Sequence, residues 1–272
     1  MQGLQKVFRV LRQGGVPRLV NRGFGFVYRR GVRPLLPVSG PARLGGVLTC
    51  YGLTAADRYV PASWLPWWMT EPTGNSSYEA ALVHGLGAQV RSGDRVVVVG
   101  GGIGVTAVNA ALLAGPSGHV TCFEGNLENC ARVGETAALN GVSNLTVRHA
   151  VVGQPIAVYG AAAQLGTVLP ADRLPPCDVL ELDCEGAEIR IIPEMTIRPR
   201  VLLVETHGLY ASSTRDVAAA MAACGYAVTD LGWAEPSQVE TCREHDIRVL
   251  LGVRGPSDGS EDRSDEGRRA GS

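Results

Sequence analysis

Three stretches of this chain bring together side chains that could do chemistry. The first is Asp183-Cys184-Glu185-Gly186-Ala187-Glu188, with three carboxylates in six residues. Carboxylates crowded at a strand end are costly unless they are solvated or matched by a cation, a donor or a substrate. Asp183 and Glu185 therefore read as functional. Glu188, one turn on, reads instead as an acid decorating a helix N-terminus, where the helix dipole favours negative charge. The second stretch is Glu205-Thr206-His207. A histidine there can take a proton from a hydroxyl near neutral pH. The third is Gly100-Gly101-Gly102-Ile103-Gly104, with Glu124 twenty positions after Gly104. Glycines at 100, 102 and 104 fit G-x-G-x-G, not the first, third and sixth spacing of a dinucleotide fingerprint. A carboxylate at the position of Glu124 can accept hydrogen bonds from both hydroxyls of a ribose.

The elements that must position these residues can be read from pattern. Four valines, Val96–Val99, make a buried parallel strand running into the glycine turn, and a helix from Val105 to Ala114 follows. Such a turn aims backbone N–H groups and a helix dipole at a ligand. A helix over Tyr78–Gln89 precedes it. Further strands are expected at 119–123, 144–151, 178–182 and 201–205, with helices at 127–139, after Asp183 and at 212–224. Asn140-Gly141 ends the first of these helices. A short strand and a loop fit 154–169. The last two strands, 226–231 and 247–253, have no convincing helix between them. Strands alternating with helices imply a doubly wound, mostly parallel α/β sheet of seven strands, and the last two imply a terminal antiparallel hairpin. In that topology Asp183, Glu185 and His207 share one sheet edge, where open α/β sheets bind ligands.

Taken together, these residues resemble the class I S-adenosylmethionine-dependent methyltransferases, and within them the FkbM-type family. The resemblance runs from about Tyr78 to Trp233. It rests on Gly93-Asp94, the glycine turn, Phe123-Glu124 with Asn126 and Asn129, Ala150-Val-Val-Gly153, Leu182-Asp-Cys-Glu-Gly-Ala-Glu188 and Val204-Glu-Thr-His207. It implies a Rossmann-like methyltransferase sheet and O-methylation of a hydroxyl on a sugar, glycan or small metabolite. It places Gly100, Gly102 and Gly104 around the methionine part of S-adenosylmethionine and Glu124 on its ribose. It places Asn126 and Glu79 with the cofactor, Ala150 and Val151 near the adenine, and Asp183 beside the methionine amine or the acceptor. His207 or Asp183 would take the acceptor's proton, with Glu185 orienting the acceptor or the base. The chain departs from the family at three positions: Val98 replaces an acid, Gly102 an asparagine, and Glu181 a lysine. The missing acid at Val98 motivates the alternative, a non-catalytic protein binding a nucleoside or a partner on the same fold. A metal-dependent variant would draw on Asp183, Glu185 and His207, but no spacing demands a metal and none is expected.

Composition sets the frame. The chain has 272 residues and is 45% hydrophobic, enough for one large core with appendages. The net charge of −1 hides an asymmetry: residues 1–56 hold nine basic residues and no acid, leaving sixteen basic against 26 acidic in the rest. A basic arm on an acidic body suggests an anionic partner. The division expected is a basic, Trp-rich arm over 1–74, a core over 75–254 and a disordered tail over 255–272. Residues 4–12 form a basic amphipathic pattern, and 4–33 could meet an anionic membrane surface; a helix docked on its own domain is the plainer reading. Three tryptophans within Trp64–Trp68 could line an acceptor pocket or anchor the arm. Seven cysteines, odd in number and without a CxxC pair, argue against a disulfide framework or zinc site and fit a reducing cytoplasm. No apolar run is long enough to span a membrane. Nucleic acid is not an expected partner, because no Asn/Asp-Pro-Pro-Tyr motif occurs and the body is acidic.

Overall fold

A computed structural model describes residues 39–51, 60–61, 74–153 and 166–255. The described residues fall in two compact units, one carrying those up to Arg43 and from Leu48 to Gly74, the other Leu44–Val47 and everything from Asn75. The basic helix at 4–12, the tryptophan segment 64–68 and the tail from 256 lie outside the described residues. In the first unit, Ser39–Gly40 pairs in parallel with Val60–Pro61.

The second unit is built on one sheet of eight strands. In chain order these are β1 (Arg95–Val99), β2 (His119–Glu124), β3 (Leu145–Val152), β4 (Thr167–Leu169), β5 (Val179–Leu182), β6 (Val201–Glu205), β7 (Ala227–Trp233) and β8 (Arg248–Val253). Their order across the sheet is β7-β8-β6-β5-β1-β2-β3-β4. All neighbours from β6 to β4 run parallel, while β8 lies antiparallel between β6 and β7. The doubly wound, mostly parallel Rossmann-like sheet with an antiparallel hairpin is therefore present. It has one strand more than the seven expected, because three residues at 167–169 pair with the end of β3. A second correction concerns the hairpin. A 3-10 turn and a short helix, α6 (Val239–His245), separate its strands. That helix is polar and buries only Cys242, so it carries no apolar stripe for a sequence pattern to report.

Helices α1 (Ala80–Gln89), α2 (Val105–Ala114), α3 (Leu127–Leu139), α4 (Glu188–Glu194) and α5 (Thr214–Ala223) cover the sheet. Strand pleat decides what each face holds, since alternate side chains point to opposite sides. Val97, Val99, Leu180, Leu182, Leu202 and Val204 pack with Ile191, Ile192, Val217 and Met221 from α4 and α5. Val96, Val98, Val179, Val201 and Leu203 pack with Leu82 and Leu86 of α1 and with the alanines of α2. All four valines of β1 are buried, each worth roughly 1.5–3 kcal/mol against exposure. Successive strands proceed one way from β1 to β4 and the other way from β5 to β6. The reversal falls between β1 and β5, and ligands bind outside the carboxyl ends of strands at such a point.

Candidate active site

Two turns meet at that reversal. β1 and β5 pair through Val99 and Leu182, so Gly100 and Asp183 leave the sheet side by side. Asp183 N–H donates to the carbonyl of Val99 (2.9 Å) and Gly100 N–H to that of Phe123 (2.9 Å). At Gly100 the φ is +99°, and a Cβ would stand 1.7 Å from the Asp183 carbonyl oxygen. Only glycine lets the two turns touch. Gly102 is different: its φ is +51°, yet a Cβ there would meet nothing within 4 Å. That open side is where a ligand can approach the backbone. Gly104, at φ +90°, caps α2.

Glu124 braces the glycine turn. It is buried, and its two oxygens accept from Gly102 N–H (2.9 Å) and Asn126 N–H (2.8 Å). Each carboxylate oxygen keeps a second lone pair. Asn126 is occupied as the cap of α3, its Oδ1 accepting from the N–H groups of Glu128 and Asn129. Ala150 and Val151 are buried at the carboxyl end of β3.

The Asp183 turn folds around Glu188. Its Oε1 accepts from Cys184 N–H (2.9 Å) and Gly186 N–H (3.2 Å), and it meets His207 Nδ1 at 3.1 Å. Glu188 is fully buried. The reading of Glu188 as an acid decorating a helix N-terminus is thus corrected: it heads α4, but it faces inward and fixes both the turn and the imidazole. The other ring nitrogen, Nε2, stands 3.5 Å from Asp183 Oδ1 and 3.7 Å from Glu205 Oε1. One donor atom from each of Asp183, Glu205 and His207 lies within 4.8 Å of the others. Glu185, at φ +54°, forms no ion pair with His207 among the described contacts. Its charge still acts on both Asp183 and His207, while Glu205 is the carboxylate that meets the ring.

The pleat explains the company Asp183 and Glu205 keep. They continue the alternation of Val179 and Glu181 on β5 and of Val201 and Leu203 on β6, on the face that α1 covers. Glu79 precedes α1 in the left-handed region, at φ +50°. Burial raises Glu79 well above the usual carboxylate range, and the charges of Asp183 and Glu181 add to the rise. Burial likewise raises Glu205, reinforced by Asp183 and Glu79. Asp183 is pushed up to about 7 by burial, with His207 holding it down. Burial opposes charge on His207 too, but the hydrogen bond to Glu188 and the Asp183 carboxylate outweigh it and bring the ring up to about 9. Glu188 is lowered despite its burial, because His207 and the turn's N–H groups hold the anion. Glu181, where the family resemblance placed a lysine, is fully buried and pushed up to about 8 by that burial. At neutral pH it is a neutral carboxylic acid, so this position loses a charge and does not reverse it.

The loop that carries His207 is tied to the sheet's far strands. His207 and Ser212 exchange backbone hydrogen bonds of 2.9 and 3.2 Å. Thr206 N–H donates to the Arg248 carbonyl, and Thr206 Oγ1 pairs with Thr214 Oγ1 at 2.8 Å. The Asp246 carboxylate accepts from Thr214 N–H (2.8 Å) and from its hydroxyl (2.7 Å).

The structure therefore brings Gly100, Gly102, Glu79, Asp183, Glu205 and His207 to one edge, with Glu124 behind the glycine turn. Sequence reasoning assigned no role to Glu205 and misread Glu188. The signal for Glu205 was present: it stands two residues before His207 at a strand end, and a period of two puts both on one side.

No family model matches the chain. Over 109 residues it is 35% identical to a protein-L-isoaspartate O-methyltransferase of Ignicoccus hospitalis, a match covering 39% of this chain and 49% of that protein. The chain thus spans about half the length of that relative. Among solved structures it is similar to a ribosomal protein L11 methylase from Lactobacillus delbrueckii subsp. bulgaricus, at 15% identity and a TM-score of 0.46, covering 71% of this chain and 91% of the other. It is also similar to Aeropyrum pernix fibrillarin, solved with natively bound S-adenosyl-L-methionine, at 16% identity and a TM-score of 0.41, covering 61% and 68%.

Proposed function

We propose that this chain is an S-adenosylmethionine-dependent methyltransferase that O-methylates a hydroxyl of a sugar, a glycan or a small metabolite. The observation that carries the reading is the meeting of the two turns at the sheet's reversal. It sets an open glycine backbone beside a histidine and three carboxyls. The 35% identity with an O-methyltransferase over 109 residues supports it.

The residues present fit the cofactor. The open side of Gly102 leaves room for a ligand against the backbone. Glu124 has one spare lone pair on each oxygen for two ribose hydroxyls. Asp183 lies close enough to raise both Glu79 and Glu205, and Glu79 raises Glu205 in turn; such a group favours a cationic ligand. S-Adenosylmethionine is cationic at its sulfur and its amine, and when bound it supplies an electrophilic methyl. Asp183 holds the acceptor hydroxyl and takes its proton, since a base titrating near 7 suits work at neutral pH. His207, whose ring already holds its proton, steadies the Asp183 anion through Nε2. Glu188 keeps that ring oriented. Holding the acceptor in place supplies much of the acceleration.

The site assignment for Asn126 becomes a capping role under this reading, while Ala150 and Val151 keep their place by the adenine. A cytoplasmic enzyme touching an anionic membrane surface through residues 4–33 is part of the same proposal. Among the described residues no helix is long and apolar enough to cross a membrane.

Calorimetric titration with S-adenosylmethionine and S-adenosylhomocysteine tests the cofactor, and absence of binding at millimolar ligand favours the non-catalytic alternative. Mass spectrometry of a gene-deletion strain then seeks a metabolite or glycan lighter by one methyl group. Against that acceptor, Asp183→Asn and His207→Ala should lose turnover while still folding. If both methylate at the wild-type rate, the assignment of roles is wrong.

A further inference from the structure

We propose that Asp183, Glu205 and His207 form a binding site for one divalent transition-metal cation, of the manganese, iron or zinc kind. Sequence reasoning expected no metal, and it paired His207 with Glu185. The fold substitutes Glu205, and this changes the donor set.

Four observations carry the proposal. The donor atoms converge: His207 Nε2 lies 3.5 Å from Asp183 Oδ1 and 3.7 Å from Glu205 Oε1. Two ligands about 2.1 Å from a tetrahedral metal stand roughly 3.4 Å apart, so little movement closes the set. The imidazole is already oriented for ligation. Glu188 Oε1 sits 3.1 Å from Nδ1, so once a cation displaces the Nε2 proton, Nδ1 still donates to Glu188 and Nε2 turns its lone pair to the carboxylates. A carboxylate behind a ligating histidine is the usual outer partner of such sites. Access is graded as well: the side chains of His207 and Glu205 are 6% and 13% exposed, that of Asp183 23%. Asp183 therefore marks the side from which a cation enters and on which its remaining positions stay open. Finally, one imidazole with two carboxylates is a mixed nitrogen and oxygen set that suits these metals better than calcium.

Its function rests on the methyltransferase reading. A cation with open positions beside the glycine turn holds the acceptor oxygen and lowers the pKa of its hydroxyl, so the proton leaves more readily to a carboxylate oxygen or to solvent.

The test uses the full chain, stripped with chelator and dialysed. MnCl2 alone is titrated by calorimetry and followed by electron paramagnetic resonance; ZnCl2 alone is the second probe. One Mn2+ per chain is expected. His207→Ala and Glu205→Gln should weaken it at least tenfold, and Glu188→Gln by about 10–100-fold through loss of the outer partner. Glu194→Gln, an exposed acid at the other end of α4, should leave it unchanged. Circular dichroism confirms that each variant is folded, and Glu205→Gln serves if His207→Ala is not. No binding of either metal at millimolar concentration overturns the site, as does wild-type affinity in a folded Glu205→Gln. S-Adenosylhomocysteine binding is measured in parallel without metal. Binding of the nucleoside with no metal uptake overturns the cation site and leaves the methyltransferase reading standing. Metal uptake with no nucleoside binding does the reverse.

Discussion

Replacing Glu188 with glutamine removes one charge from the centre of the site and changes almost nothing in shape. Glutamine's oxygen still accepts from Cys184 and Gly186 N–H. What is lost is the anion that does most to hold His207 as imidazolium; the Asp183 carboxylate, the next cause of the rise, remains. The ring stands at about 9 against an ordinary 6.5, which corresponds to about 3 kcal/mol in favour of the charged form. The sign follows from linkage. His207 is raised on folding, so its contribution is fully present below pH 6.5 and is lost as pH rises through about 9. Breaking a buried pair by removing one partner costs on the order of 3–5 kcal/mol. The glutamine variant should therefore be about 3 kcal/mol less stable than wild type at pH 6.5. The gap should shrink by pH 10, where the ring is neutral in both, by the Glu188 share of that figure, at most about 3 kcal/mol. Urea denaturation at a series of pH values measures the gap. Proton NMR follows the ring itself among the chain's five histidines, with His207→Gln identifying its signal. A gap that stays constant with pH, or a wild-type ring titrating near 6.5, refutes the reasoning.

The same geometry yields further tests. Gly100→Ala drives a Cβ to 1.7 Å from the Asp183 carbonyl and should cost more than about 3 kcal/mol; a urea midpoint close to wild type would mean the turns do not touch. Asn126→Ala removes the α3 cap and should cost about 1 kcal/mol with S-adenosylhomocysteine affinity nearly unchanged. A tenfold loss of affinity would restore Asn126 to the cofactor site. Asp183 is raised on folding from 3.8 to about 7, so the ligand-free protein loses stability as pH climbs between those values. In Asp183→Asn that part of the slope of melting temperature against pH should disappear; an unaltered slope would show that the fold does not hold the Asp183 proton up to about 7.

Much of this was legible in the chain because strong local signals agreed with the fold. Val96–Val99 followed by the glycine turn can be little else than a buried strand and a ligand-facing bend. Asn140-Gly141 ends α3 as its sequence indicates. Two kinds of feature escaped. Some elements are too short or too polar to carry a period: Thr167–Leu169, expected only as a short strand somewhere in 154–169, forms by adding to β3, and α6 buries a single cysteine. Others depend on direction. Glu188 looks the same in sequence whether it points at solvent or at His207, and only tertiary packing turns it inward. Gly100 was read as a ligand contact, but the sequence could not show that its Cβ position is filled by the Asp183 backbone, a proximity created by two strands far apart in the chain.

The anchoring of Thr206 and Thr214 by Asp246 and Arg248 bears on the order in which a ribosome releases this protein. The glycine turn, Glu124 and the Asp183 turn emerge well before the residues that hold the His207 loop. A nascent chain halted before Asp246 has the cofactor half of the site within reach of folding, but not the strand that seats the histidine. Competence for chemistry therefore arrives late in translation. Chains stalled at successive lengths should acquire nucleoside binding first and a held His207 only once β8 has been made.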